Sequence, residues 1–263
     1  MRGRLRQVGR LAQVLLVVAL GLLMASLLVI GRHLGIKASL ARRQRWTRLF
    51  MRRLVAALPF DVCVTGKLPS SPMLWVSNHV SWTDIPLLGM LAPVSFLSKA
   101  EVRHWPLAGW LAEQAGTLFI KRGASDGQQL RVHIGQRLVT GHPLLLFPEG
   151  TTTDGHQLGT FHGRLLAAAI DQGIAVQPVA IQYQRRGQID PFAPFVGDDD
   201  LLSHLLRLLA QPRGQVRIHL LEPLASHGKG RTLLGLQAQR SIHQALYGTP
   251  EPPALRRQCA TAA

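Results

Sequence analysis

The stretch MLWVSNHVSWTDIPLL, residues 73–88, runs from an apolar segment through a polar turn into a second apolar segment marked by Pro86. The first segment has strand character. Pro86 suits the first turn of a helix, where a missing N–H costs nothing. Strand, turn and helix in succession is the unit from which α/β domains are built. The turn itself carries Asn78, His79 and Asp84. On one continuous helix, residues five apart lie about 140° apart around the axis, so His79 and Asp84 meet only if the chain turns between them. A helix starting near Thr83 or Asp84 leaves His79 in the loop after the strand, with the carboxylate able to hold one ring nitrogen. That pairing suits a general base, because the carboxylate fixes the tautomer and stabilises the imidazolium formed when the other nitrogen takes a proton. The same spacing also fits a structural histidine beside a helix cap.

Outward from this stretch, short apolar runs alternate with helical periodicity from Phe60 onward. Strands are expected at 60–65, 73–78, 94–98, 116–121, 143–147, 175–183 and 215–221. Helices are expected from His104, with Pro106 in the first turn, and at 125–140, 161–172, 200–211 and 231–247. The segment PLLLFPEGTTTDG, residues 143–155, reads as a buried strand that delivers Glu149 to its C-terminal edge, where open α/β sheets bind ligands. Gly150 would let backbone approach a substrate, and Thr151 to Thr153 offer hydroxyls and N–H groups. In GTLFIKRG, residues 116–123, a strand ends at Lys121 and Arg122, a point charge and a planar fork that suit a phosphate or stay solvated.

The formal charge of +16 is unevenly spread: the first sixty residues hold twelve Arg or Lys and no acid, leaving eighteen basic against fourteen acidic residues beyond. The body of the chain is therefore only mildly basic. The twelve cations surround LAQVLLVVALGLLMASLLVIG, residues 11–31, an apolar run long enough for the roughly 30 Å bilayer core. It exceeds the apolar region of a signal peptide and lacks a small-residue cleavage site before Arg32. Residues 38–58 place Trp46, Leu49, Phe50 and Leu54 at helical spacing among Arg42, Arg45, Arg48 and Arg52, a basic amphipathic helix for an anionic membrane surface or for the flank of the following domain. Residues 1–58 are thus a membrane-spanning or membrane-embedded helix plus an amphipathic helix, 59–248 the main domain, and 249–263, proline-rich and aperiodic, a disordered tail. Cys63 and Cys259 are too few and too far apart for a disulfide framework or a metal site.

Four blocks together resemble the glycerolipid acyltransferases of the 1-acylglycerol-3-phosphate acyltransferase type. They are N-H-x-x-x-x-D at Asn78 to Asp84, G-x-x-F-I-x-R at Gly116 to Arg122, F-P-E-G-T at Phe147 to Thr151 and V-x-P-V at Val176 to Val179. SKAEVRHWPLAGW, residues 98–110, is similar to the stretch between the first two blocks, and the likeness covers residues 60–225. The resemblance implies a mixed, mostly parallel sheet flanked by helices, with N-terminal helices tying it to the inner membrane and the catalytic domain on its cytoplasmic side. It implies that His79 deprotonates the acceptor hydroxyl for direct attack on a thioester while Asp84 orients it. Glu149, Gly150 and Thr151 would hold the acceptor, Lys121 and Arg122 would face its head group, and Pro178 would shape the site. The co-substrate would be acyl-CoA or acyl carrier protein, with no bound cofactor, no metal and no nucleic-acid partner. Many relatives acting on lysophosphatidate carry arginine after F-P-E-G-T, where this chain has Thr152. The F-P-E-G-T-T form also resembles enzymes that acylate lyso-ornithine lipid, which has no phosphate. Lysophosphatidate ranks first on the strength of Lys121 and Arg122, with lyso-ornithine lipid as the alternative.

Other chemistries lack their sequence signatures: there is no G-x-G-x-x-G, no G-x-x-x-x-G-K and no H-E-x-x-H. A non-enzymatic basic membrane scaffold is the rival of a different class.

Overall fold

The structure is a computed structural model that describes residues 2–120 and 127–248. Its sheet comprises β1 (Phe60–Thr65), β2 (Leu74–Ser77), β3 (Ser95–Lys99), β4 (Leu118–Ile120), β5 (Leu144–Leu146), β6 (Val176–Arg185), β7 (Gln188–Ile189) and β8 (Gly214–Leu220). The order is β1-β8-β6-β2-β5-β3-β4, with β7 paired to β6. All pairs are parallel except β6 with β7 and β6 with β8. The fold is the α/β class that the alternating pattern implied, with the mixed, mostly parallel sheet that the resemblance implied.

Side chains alternate across a strand, and β2 shows what that does here. Leu74 and Val76 face one layer, in which α5 (Gly127–Val139), α6 (Ala167–Asp171) and α8 (Arg231–Tyr247) supply Ile134, Leu138, Ala168, Leu234 and Ile242. Trp75 faces the other, with Leu87 and Leu88 of α3 (Asp84–Gly89), Leu208 of α7 (Leu201–Ala210) and Met51 and Val55 of α2 (Leu40–Ala57). β2 is buried on both faces, so its sequence is a continuous apolar run.

The N-terminal apolar run is helix α1 (Arg2–His33), roughly 48 Å long at 1.5 Å per residue. It turns at Gly35, whose φ of 79° is left-handed, and continues into α2, capped by Ser39 accepting from the Arg42 N–H. The two helices form a hairpin. Leu11, Val14, Val18, Gly21 and Ala25 of α1 recur at three and four residue spacing and face inward. Leu15, Leu16, Leu20, Leu23, Leu27 and Ile30 are exposed. Near its start, Gln7 Nε2 donates to the Leu206 carbonyl at 2.9 Å and Arg10 to that of Leu209 at 2.9 Å, both on α7. Near its end, Arg32 donates to the Gln114 side chain of α4 (Ala108–Ala115) at 3.4 Å. Helix α1 therefore lies along the domain and touches it at both ends.

Three expectations shift. The helix expected from His104 is a 3₁₀ turn at Ala100–His104 followed by α4, because Leu107 takes a left-handed φ of 59° and Pro106 closes a tight turn with Ala108 instead of opening a helix. The helix expected at 161–172 starts as a 3₁₀ turn at Gly163–Leu166, where the chain passes so close to α8 that a Cβ on Gly163 would sit 2.3 Å from the Arg231 carbonyl. Strand β7 was not foreseen; it returns through Arg186–Gly187, both at positive φ, a turn usually signalled by Asn-Gly. The expected tail at 249–263 lies outside the described residues.

A Cβ on Gly21 would stand 2.6 Å from the Phe50 ring across the hairpin. Gly21→Leu is expected to lower stability by about 1–3 kcal/mol through overpacking, read as a lower Tm in detergent and faster proteolysis between Arg32 and Lys37.

Candidate active site

At the C-terminal edge of the sheet, β2 lies between β5 and β6, and the chain leaving β2 is fixed on both sides. The Asn78 side-chain amide donates to the Ile181 carbonyl and accepts from the Ile181 N–H, each at 2.9 Å, fastening the loop to β6. On the β5 side, the His79 N–H donates to Glu149 Oε1 at 2.8 Å, and the His79 carbonyl accepts from the Thr153 N–H at 2.9 Å. The loop then wraps around Asp84, the first residue of α3. The N–H groups of Val80 and Ser81 donate to its Oδ2 at 2.7 and 3.0 Å.

The same oxygen lies 2.7 Å from His79 Nδ1. An ionised carboxylate only accepts, so Nδ1 carries the proton and Nε2 is the basic nitrogen of the neutral ring. Asp84 is fully buried, while the His79 side chain keeps 17% exposure. The ring is stacked on Phe147 with centroids 3.9 Å apart and planes 10° from parallel. The carboxylate, the Phe147 face and the backbone ties at His79 fix the imidazole in one plane, with one nitrogen left to exchange a proton.

Glu149 has a more internal place than its reading as an acceptor-holding group. Its Oε1 accepts from His79 N–H and its Oε2 from Gly159 N–H at 2.7 Å, so the carboxylate ties together the two loops that border the histidine. Burial pushes its carboxyl up, opposed by those two N–H donors. Gly150, at φ 70°, closes the turn after β5 with its N–H on the Phe147 carbonyl, and Thr151 is exposed beside it. Thr152 Oγ1 donates to the Phe195 carbonyl. Pro178 lies lower, buried in β6 opposite Val76, with its carbonyl accepting from Leu221 N–H. The structure thus brings His79, Asp84, Glu149, Gly150 and Thr151 to one edge and leaves Pro178 in the sheet beneath. Lys121 and Arg122 lie outside the described residues. Among the described residues no group of three or more His, Cys, Asp or Glu is placed to hold a metal ion.

Tyr183 is the residue that the sequence reading passed over. Its hydroxyl donates to Asp84 Oδ1, and Thr83 Oγ1 stands 2.8 Å from it. The only local signal was a tyrosine inside an apolar strand, whose buried hydroxyl requires a partner.

A family model described as Acyltransferase matches residues 61–182. The lyso-ornithine lipid O-acyltransferase of Pseudomonas aeruginosa is 57% identical over 254 residues, covering 97% of this chain and 98% of that protein. The chain belongs to the acyltransferase family. A 1-acyl-sn-glycerol-3-phosphate acyltransferase from Neisseria meningitidis is 32% identical to this acyltransferase over 170 residues, 64% of this chain and 67% of that protein. The crystal structure of the 1-acyl-sn-glycerophosphate acyltransferase from Thermotoga maritima matches with a TM-score of 0.60 at 21% identity, covering 92% of this chain and all of that one, a likeness of fold. The enzyme is an acyltransferase of the lysophospholipid type, related to the 1-acylglycerol-3-phosphate enzymes as the four blocks implied. The scaffold reading gives way to an enzyme.

A carboxyl raised on folding takes up its proton in the folded state before it does in the unfolded chain. Stability then rises as pH falls from the raised folded value to the ordinary carboxylate value, and is lost as pH rises through the folded value. Urea unfolding across that range should show this component for Glu149 in the wild type. The Glu149→Gln variant should lack it and be less stable at neutral pH by about 1–3 kcal/mol, since one of the two N–H groups loses its acceptor.

Proposed function

We propose that this acyltransferase moves a fatty acyl chain from a thioester donor, acyl-CoA or acyl carrier protein, to the free hydroxyl of lyso-ornithine lipid, giving ornithine lipid. The observation that carries this reading is the 57% identity, across nearly the whole of both chains, to a protein of that name. It reverses the order of preference drawn from the motifs, which put lysophosphatidate first. The site agrees with the reversal at Thr152, where a phosphate-binding cation would stand: this residue is uncharged, and its hydroxyl is spent on the Phe195 carbonyl.

In the proposed reaction, His79 Nε2 takes the proton of the acceptor hydroxyl as its oxygen attacks the thioester carbonyl. The tetrahedral intermediate collapses by breaking the C–S bond, and the imidazolium returns its proton to the departing thiolate. Asp84 holds Nδ1–H throughout and balances the transient charge. Glu149 holds the His79 backbone where the ring needs it, and Gly150 and Thr151 border the space the acceptor enters. Lys121 and Arg122 remain proposed contacts for an anionic group on either substrate.

The proposed location is the inner membrane, with the domain on the cytoplasmic side, where both thioester donors are found. The hairpin supports an embedded helix more than a spanning one. Helix α1 meets the domain through Gln7 and Arg10 at one end and Arg32 at the other, so its exposed leucines enter a single leaflet while Arg42, Arg45 and Arg52 meet anionic head groups.

Purified enzyme in detergent, given labelled acyl-CoA or acyl carrier protein with lyso-ornithine lipid and lysophosphatidate side by side, is expected to yield labelled ornithine lipid as the main product. Phosphatidate alone would return the acceptor assignment to lysophosphatidate. In the same assay His79→Ala should lose about 10³-fold or more in kcat, within the range general base catalysis supplies; a wild-type rate would remove His79 from the chemistry.

A further inference from the structure

Asp84 is fully buried, and its two oxygens are served unequally by the chain around it. Oδ2 receives His79 Nδ1–H and the N–H groups of Val80 and Ser81, all from the loop that Asp84 itself closes. Oδ1 receives the hydroxyl of Tyr183, which arrives from β6, ninety-nine positions along the chain. The direction of the protons follows from the chemistry of the groups. A carboxylate cannot donate, so the single Tyr183 proton points at Asp84, and the Thr83 hydroxyl must then donate to the Tyr183 oxygen. A polarised line of donors, Thr83 to Tyr183 to Asp84, ends on the carboxylate that holds His79.

We propose that Tyr183, backed by Thr83, is a positioning residue that fixes the Asp84 carboxylate and through it the tautomer and direction of the His79 ring. Packing keeps the phenol in place. Tyr183 is buried, and its ring meets Phe60 edge-on with centroids 5.4 Å apart. The hydroxyl cannot easily give up its proton, since burial and the nearby Asp84 charge push it well above the ordinary phenol range. It is a permanent donor, so its action on Asp84 does not switch off within the working range of pH. Without it, Oδ1 would be a buried anionic oxygen lacking its partner from β6, and the carboxylate could rotate about its bond toward other donors.

The hydroxyl also draws charge away from Asp84 and so moderates the pull of the carboxylate on an imidazolium. The other titratable groups around the pair are accounted for. Glu149 stands on the β5 side, bound to two backbone N–H groups. His204 of α7 accepts from the Trp82 indole at 3.0 Å, and its other ring nitrogen lies 3.0 Å from the Pro194 carbonyl. Asp190, beyond Tyr183, is paired with Arg185 at 2.7 Å.

The inference rests on His79 acting as the base, and the test separates the two. In Tyr183→Phe, which keeps the ring against Phe60, kcat is expected to fall about tenfold, the value of one hydrogen bond to a charged group, with KM within about twofold. Thr83→Val should lower kcat by less, again with KM nearly unchanged, and Thr83→Ser should restore most of the rate that Thr83→Val loses. A folded Tyr183→Phe enzyme with wild-type kcat, or one whose loss falls on KM as much as on kcat, would overturn the positioning role. If Tyr183→Phe does not fold, the Thr83 pair decides: equal rates in Val and Ser would overturn it. An active His79→Ala enzyme would instead bring down the general-base reading beneath it.

Discussion

A carboxylate taken out of water must be given donors, because an uncompensated buried charge costs several kcal/mol. Asp84 meets that demand four times over, with two backbone N–H groups, an imidazole and a phenol. Much of the local structure follows from this requirement. For Val80 and Ser81 to present their N–H groups to a side chain three and four residues ahead, the chain must curl into a tight loop before α3 begins. That curl is what carries His79 back over Asp84. The spacing of five, incompatible with a shared helical face, is the spacing of a loop closed on its own last residue. Asp84 thus both closes the turn and holds the histidine, so the loop cannot relax without moving the site.

This arrangement was partly legible in the chain. Apolar alternation marked seven of the eight strands, and Pro86 with Asp84 marked the start of α3, because these signals are local. Asn78, His79 and Asp84 could be connected because they share one turn. Tyr183 could not, since nothing near it in sequence points to Asp84; the link exists only because β6 runs beside β2 and extends past its end. Glu149 was legible as a carboxylate at a sheet edge, but its partners are backbone N–H groups, which every residue carries and no motif records. The 3₁₀ turns at Ala100–His104 and Gly163–Leu166 were likewise hidden, since they arise where backbone meets backbone and periodicity says little.

The N-terminal hairpin shows one composition serving two solvents. Along α1 the residues at Leu11, Val14, Val18, Gly21 and Ala25 are met by protein, and the leucines between them are left outward. A spanning helix and a packed helix have the same hydropathy, so the run at 11–31 could not distinguish them. The distinguishing information lies in small and polar residues that hydropathy averages away: Gly21 receives Phe50, and Gln7, Arg10 and Arg32 reach carbonyls or amides of the domain.

The order of the blocks has a physical reading as well. β2, β5 and β6 are neighbours at the centre of the sheet, so segments separated by seventy or a hundred residues end at the same edge. From β2 come the histidine and its loop, from β5 the Glu149 carboxylate that receives the His79 N–H, and from β6 both the Ile181 backbone that pairs with the Asn78 amide and the phenol that donates to Asp84. These bonds tie the histidine loop to the strands on both sides of β2, and together they oppose movement toward either one. The base proposed at His79 would gain from this, since in the proposed reaction the same nitrogen faces first an alcohol and then a sulfur without the ring turning away. Rigidity of the loop is therefore part of the proposed chemistry, and it is built from the strand order before any substrate enters.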